Sequence, residues 1–217
     1  MSLLNLNIAA VRRALAAPRN GRAAQERMSP RPRPGDIFPM PEHASGKQAA
    51  VLILLYEHDG ELYFFLTRRT ESVGSHKGQI SLPGGQQETG ETLKATALRE
   101  AREELGLDPA QIEILGAPLT PLYIPVSNYW VTAFVGYYCC AEPSTRASAR
   151  EVLEILPTRL ADIVDESHIV EEEWELRGYP VQVPFFLLHG YKVWGATAML
   201  LGEFSALLRA QQGELVE

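Results

Sequence analysis

Residues 78–107 read GQISLPGGQQETGETLKATALREAREELGL, and the remainder of the chain is arranged around them. The second half has helical periodicity from about Thr92 to Leu105. Leu93, Ala97, Ala101 and Leu105 recur every four residues as an apolar stripe, and Gly106 is the expected residue type for a C-terminal cap. Glu100, Glu103 and Glu104 are related by steps of three and four, which puts three carboxylates on one face. Like charges so placed repel by roughly a few tenths of a kcal/mol per pair even when solvated. A hard divalent cation such as Mg²⁺ or Mn²⁺ resolves that repulsion, because carboxylate oxygens and retained waters are its preferred ligands. Arg99 stands beside the cluster and Glu91 lies eight residues before it, so an arginine–carboxylate fork would lock the preceding loop onto the helix. In that loop Pro83-Gly84-Gly85 marks a turn, and Gly90 sits just before the helix. Main chain without side chains approaches a ligand closely and can aim a carbonyl at a metal.

This stretch resembles the Nudix box, G-x5-E-x7-R-E-U-x-E-E-x-G-U, in which U is a bulky aliphatic residue. Gly85, Glu91, Arg99, Glu100, Glu103, Glu104, Gly106 and Leu107 all stand at the required spacing. Eight fixed positions over 23 residues argue against the plain alternative, a solvated acidic helix face. Ala101 occupies the first U position, a departure that bears on packing and not on metal ligation. The resemblance implies an α/β fold, an α/β/α sandwich with a central mixed β-sheet, and metal-dependent hydrolysis of a nucleoside diphosphate-linked substrate. It implies Glu100, Glu103, Glu104 and the Gly85 carbonyl as ligands for Mg²⁺ or Mn²⁺, with Glu91 and Arg99 fixing the loop and orienting the carboxylates. Breaking a phosphoanhydride requires charge neutralisation, an in-line water and a stabilised leaving oxygen, which metal-bearing carboxylates can supply. The general base in this family often lies outside the box, and Glu151, Glu171, Glu172 and Glu173 are all candidates.

Substrate class is carried by other segments. FLTRRTESVGSHKGQISLPGG (65–85) is similar to the segment that marks coenzyme A pyrophosphatases within the family, LLTxR[S/A]x3Rx3Gx3FPGG. Leu66, Thr67, Arg69, Gly78, Pro83, Gly84 and Gly85 match, whereas Thr70, Gly74 and Leu82 depart. The loss of an arginine at Gly74 could remove a phosphate contact, for which Lys77 or Arg68 could substitute. Trp194-Gly195-Ala196-Thr197-Ala198 also resembles that subfamily. The implied reaction is cleavage of coenzyme A or its derivatives to 3′,5′-ADP and 4′-phosphopantetheine, with Arg68, Arg69, His76 and Lys77 near the substrate phosphates. Ordinary solvation of a strand end is the bland reading of those four. The competing readings are a Nudix pyrophosphatase acting on ADP-ribose, NADH or dinucleoside polyphosphates, and a non-catalytic nucleotide-binding module. Intact metal-ligand glutamates argue against the second of these.

The 217 residues suffice for one domain with a sizeable core, and 46% hydrophobic with 22% charged residues is ordinary for a globular protein. A formal net charge of −7 argues against general nucleic-acid affinity but not against an anionic small molecule bound through metal. The two cysteines, Cys139 and Cys140, are adjacent in a strand-like run, which argues for a reduced, cytoplasmic protein without a structural disulfide. No apolar run approaches a membrane span. Residues 1–45 divide into a helix, with Leu4, Ile8, Val11 and Leu15 on one side, and an extended Pro/Arg-rich connector. The helix packs on the domain surface or on a second subunit, which leaves a homodimer open. The Nudix domain is expected over 46–217. It begins with a hairpin, AAVLILLYE and ELYFFLTRR, turning at His58-Asp59-Gly60. NYWVTAFVGYYC (128–139) is apolar on both faces and reads as a central strand. HIVEEEWEL and YPVQVPFFLL form a second pair around Arg177-Gly178, before a final helix near 196–211.

Overall fold

The computed structural model describes residues 6–18, 21–32, 46–70, 78–140 and 143–213. The hairpin forms as expected: β1 (Lys47–His58) pairs antiparallel with β2 (Glu61–Arg69). The turn is made by Asp59 and Gly60, both at positive φ. The run at 129–138 is β7 (Tyr129–Tyr138), which lies parallel to β1 over its length, from Lys47↔Tyr129 to Leu55↔Tyr137. This parallel pair makes the sheet mixed. The path β3-β2-β1-β7-β5 is completed by β4 on β1, β6 on β7 and β8 on β2. Here β3 is Ile80–Ser81, β4 Gly84–Gln86, β5 Ile112–Ile114, β6 Leu122–Ile124 and β8 Val152–Arg159. A separate three-stranded sheet holds β9 (Ile169–Leu176), β10 (Tyr179–Leu188) and β11 (Tyr191–Val193).

Alternation along the central strands sorts the core into two layers. Leu52, Leu54 and Phe65 face α3 (Leu93–Leu105), whose Ala97, Ala101 and Leu105 are buried against them. Ile53, Leu55, Phe64 and Leu66 face the other way, into a larger core shared with α1 (Ile8–Ala16), α4 (Leu160–Val164) and α5 (Gly195–Gly213). Thr92 caps α3 by accepting the Ala95 N–H at 3.1 Å, and Gly106 ends it in the left-handed conformation at φ +73°. A side chain at Gly106 would also meet Arg146, whose Cβ and backbone lie 3.1–3.4 Å from the position of a Cβ.

The sequence departs from expectation at residues 21–26. Instead of extended connector they form a second short helix, α2 (Gly21–Glu26). It is held by long-range contacts. Gln25 donates through Nε2 to Glu203 on α5 (2.7 Å) and to the Thr120 carbonyl (2.7 Å), and Arg31 makes a β-bridge to Gln182 of β10. Six residues are too few for a helix to persist alone, so tertiary contact fixes a segment whose own residues, Arg22 to Glu26, favour helix within a connector rich in Pro and Gly. Both N-terminal helices lie against α5 of the same chain. Among the described residues no helix is long and apolar enough to cross a membrane.

Candidate active site

The glycine turn and α3 meet at β4. Gly85 pairs with Ala50 of β1, so the side it turns to α3 carries no side chain. A Cβ there would lie 2.2 Å from the Glu100 carboxylate, and a Cβ at Gly84 would lie 2.4 Å from the Ala50 carbonyl. Gly84 is therefore required by close approach to backbone, and the space beside Gly85 is filled by the Glu100 carboxylate.

Arg99 is the fastener. Its Nε and Nη2 donate to the two oxygens of Glu91 at 2.8 and 3.3 Å, the expected fork. Nη1 reaches Glu100 (2.8 Å) and Glu103 (3.0 Å), and Nη2 the Gln86 carbonyl (3.1 Å). Glu91 also accepts from the Thr96 hydroxyl and the Glu88 N–H. These bonds, Arg99 foremost, hold the Glu91 carboxyl down to about 2. The loop, the start of α3 and its acidic turn thus form one hydrogen-bonded unit.

The three helix glutamates separate in the folded chain. Glu100 and Glu104 are buried, whereas the side chain of Glu103 is half exposed and bonded to Arg99. The third carboxylate of the inner cluster comes from outside the box. Glu100, Glu104 and Glu151 each place an oxygen within 4.8 Å of the others. Glu151 reaches them because the chain after β7 folds back over the end of α3. The Arg146 N–H donates to the Leu105 carbonyl (2.7 Å) and the Ser148 N–H to that of Glu104 (3.3 Å). The β2–β8 register then slips between Arg68 and Arg69, a bulge of the kind that re-aims side chains beside a site. Of the four candidate bases, Glu171, Glu172 and Glu173 lie on β9, where Arg31, Lys192 and Gln182 engage them.

Burial pushes the Glu104 carboxyl up to about 8. Arg69 opposes that rise, Glu100 and Glu151 add to it, and the Gly84 N–H again opposes it. Glu100 is also raised, by burial first, against the pull of Arg99. One oxygen of Glu104, Oε2, is buried with no hydrogen-bond partner among the described residues. An orphaned buried carboxylate oxygen beside two more carboxylates is costly unless a cation completes it. This donor set, all oxygen and rich in negative charge, fits a hard divalent ion.

The two basic residues that are described, Arg68 and Arg69, point apart. Arg69 faces α3 and lies 3.7 Å from Glu104. Arg68 faces the opposite side, where its guanidinium lies over the Tyr191 ring and donates to its hydroxyl (3.3 Å). Tyr191 in turn donates to Glu154. Neighbouring strand residues point to opposite faces, so that division was readable from Arg68-Arg69, but no local pattern marked Tyr191 and Glu154 as partners. His76 and Lys77, with Gly74, lie outside the described residues.

The family model for the NUDIX domain matches residues 46–168. Nudix hydrolase 22, chloroplastic, of Arabidopsis thaliana is 33% identical over 162 residues, covering 71% of this chain but 53% of that protein. An uncharacterised Nudix hydrolase, NudL, of Enterobacter sp. (strain 638) is 32% identical over 160 residues, covering 73% of this chain and 81% of that one. Among solved structures, a C. elegans Ap4A hydrolase binary complex superposes with a TM-score of 0.47 at 18% identity, covering 78% of this chain and 98% of that one. A mixed-sheet α/β fold with a glutamate-lined centre is joined to a family model that matches more than half of the chain, and the chain belongs to the Nudix family. Its domain is that of a Nudix pyrophosphohydrolase, a class that acts on nucleoside diphosphate-linked substrates and generally uses divalent metal ions.

Proposed function

We propose that the chain hydrolyses the pyrophosphate of coenzyme A or its derivatives to 3′,5′-ADP and 4′-phosphopantetheine, as a cytoplasmic enzyme dependent on Mg²⁺ or Mn²⁺. Glu100, Glu103, Glu104 and the Gly85 carbonyl would hold the metal, which when bound supplies charge neutralisation for the phosphates. Glu151, the base candidate inside the carboxylate cluster, would take the proton of the attacking water. Arg99 and Glu91 hold the loop against α3, and Arg69 faces the substrate phosphates.

The observation that carries the coenzyme A reading is the adjacency of its two marker segments. The residues around Leu66, Thr67, Arg69 and Gly78 lead through β3 into the glycine turn. Trp194–Ala198 opens α5 beside that strand, with the Thr197 hydroxyl 3.5 Å from the Ile80 carbonyl. One observation favours a second reading, a pyrophosphatase of ADP-ribose, NADH or dinucleoside polyphosphates. Arg68 is engaged by Tyr191, and Gly74 offers no guanidinium for a 3′-phosphate.

Catalytic efficiencies for coenzyme A, 3′-dephospho-coenzyme A and ADP-ribose, with products separated by chromatography, distinguish the two. A charge-assisted phosphate contact is worth about 1.5–3 kcal/mol, so coenzyme A should lead by roughly ten- to a hundredfold. Indifference to the 3′-phosphate, or faster cleavage of ADP-ribose, favours the second reading. Tight binding of nucleotide without hydrolysis points to a non-catalytic module.

A further inference from the structure

We infer that Arg69 is a charge stand-in at the carboxylate cluster. Its guanidinium holds a cation's place beside Glu104 in the metal-free protein and passes to a phosphate of the substrate once a divalent cation occupies the glutamates. The inference rests on the reading of Glu100, Glu104 and Glu151 as lining a cation site.

Two arginines border the same acidic group, and they are built differently. Arg99 has its guanidinium tied to Glu91, Glu100, Glu103 and the Gln86 carbonyl at 2.8–3.3 Å. A guanidinium offers five N–H groups, so Arg99 has little left to give. Arg69 meets Glu104 at 3.7 Å, beyond the 2.7–2.9 Å of a well-made charged hydrogen bond. Its side chain is 27% exposed, whereas that of Glu104 is 2% exposed, so the guanidinium stands outside and the carboxyl within. Among the described residues only the backbone of Arg69 is pinned. Its N–H donates to the Gln79 carbonyl (3.1 Å), and the next N–H, of Thr70, donates to the carbonyl of Glu151 (3.0 Å). A fixed root with a loosely paired, partly exposed head is the arrangement of a side chain that can change partners.

The direction of the change follows from charge. A guanidinium beside Glu104 and a divalent cation on Glu104 repel each other, so loading the site weakens the Arg69–Glu104 pair. A polyanionic substrate then supplies the better partner, and the head need only swing about its own stem.

The test measures Mn²⁺ binding to substrate-free protein, by calorimetry and by the electron paramagnetic resonance signal of free Mn²⁺, alongside steady-state kinetics. Arg69→Gln removes the competing cation and should bind Mn²⁺ about tenfold more tightly, while KM rises roughly ten- to a hundredfold. Arg69→Lys keeps the charge but not the fork. It should bind Mn²⁺ as the parent protein does and still show a raised KM. A merely supporting arginine would give weaker Mn²⁺ binding on removal. Unchanged or weaker binding by Arg69→Gln overturns the inference alone, as does a normal KM in Arg69→Lys should Arg69→Gln fail to fold. A parent protein that binds no Mn²⁺ overturns the cation-site reading and the inference together.

Discussion

Glu104 on α3 and Glu203 on α5 are buried almost equally, at 2% and 1% exposure, on opposite faces of one sheet. Their surroundings differ. Glu203 accepts from Gln25 Nε2 (2.7 Å), the Thr120 N–H (3.0 Å) and the Thr120 hydroxyl (2.8 Å), all neutral donors that use both oxygens. Among the described residues Glu104 keeps one oxygen without a partner, faces two further carboxylates, and has a guanidinium at 3.7 Å. Glu203 ties α2 to the body, and its demands are met within the chain. Glu104 is left incomplete by the described residues, the arrangement expected where a ligand must finish the site. Burial alone does not separate a structural carboxylate from a functional one; hydrogen-bond satisfaction does.

The same substitution at the two positions should therefore act in opposite senses. The largest effect is expected at Glu104→Gln, where turnover should fall roughly a thousandfold, the loss of several kcal/mol of charge stabilisation. Its metal-free stability should nevertheless rise at pH 8. The folded carboxyl titrates at about 8 against an ordinary 4.5, so the native state holds the proton more tightly than the unfolded chain. Metal-free stability then falls as pH climbs from about 4.5 to about 8, by on the order of a few kcal/mol. Urea unfolding in chelator at pH 5 and pH 8 should show that slope in the parent and its loss in Glu104→Gln. At Glu203→Gln the new amide would set a donor against Gln25 or Thr120. The cost should be about 2 kcal/mol of stability with turnover per folded molecule unchanged, measured by the same unfolding curves with active-site normalisation. The smallest effect is expected at Arg99→Lys, which keeps the charge and loses the fork to Glu91. Activity should drop about tenfold, comparable to losing an outer-shell partner, and full activity in the kinetic assay would reduce Arg99 to a surface charge.

The α3 unit was legible because its pattern is dense and local. The stripe, the Thr92 start, the Gly106 stop and the Arg99–Glu91 fork all lie within one short segment, where spacing alone fixes geometry. The hairpin at Asp59-Gly60 and the doubly apolar run of β7 were legible for the same reason. Two features were not. Helix α2 is set by Gln25, which bonds Glu203, and by Met28, which packs where a side chain on Gly202 would stand, 2.7 Å from its Cγ. Neither contact leaves a trace in nearby sequence. Glu151 was one of four acidic candidates, and only the return of the chain over Leu105 distinguishes it from Glu171, Glu172 and Glu173. The separation of Glu103 from Glu100 and Glu104 likewise depends on where Arg99 sits, which helical spacing does not specify.

The Gln25–Glu203 bond joins residues 178 positions apart. A ribosome adding about 5–20 residues per second needs roughly 10–40 s to cover that distance. For all of that time α2 has emerged without its partner, and the face of the sheet bearing Ile53, Leu55 and Phe64 lacks the helix that covers it. The face that bears the carboxylate cluster is complete once Glu151 has appeared, yet the nascent chain must still keep its greasier side from neighbours until α5 arrives. A chain stalled before Gly195 would carry the whole carboxylate cluster and remain a substrate for chaperones and proteases.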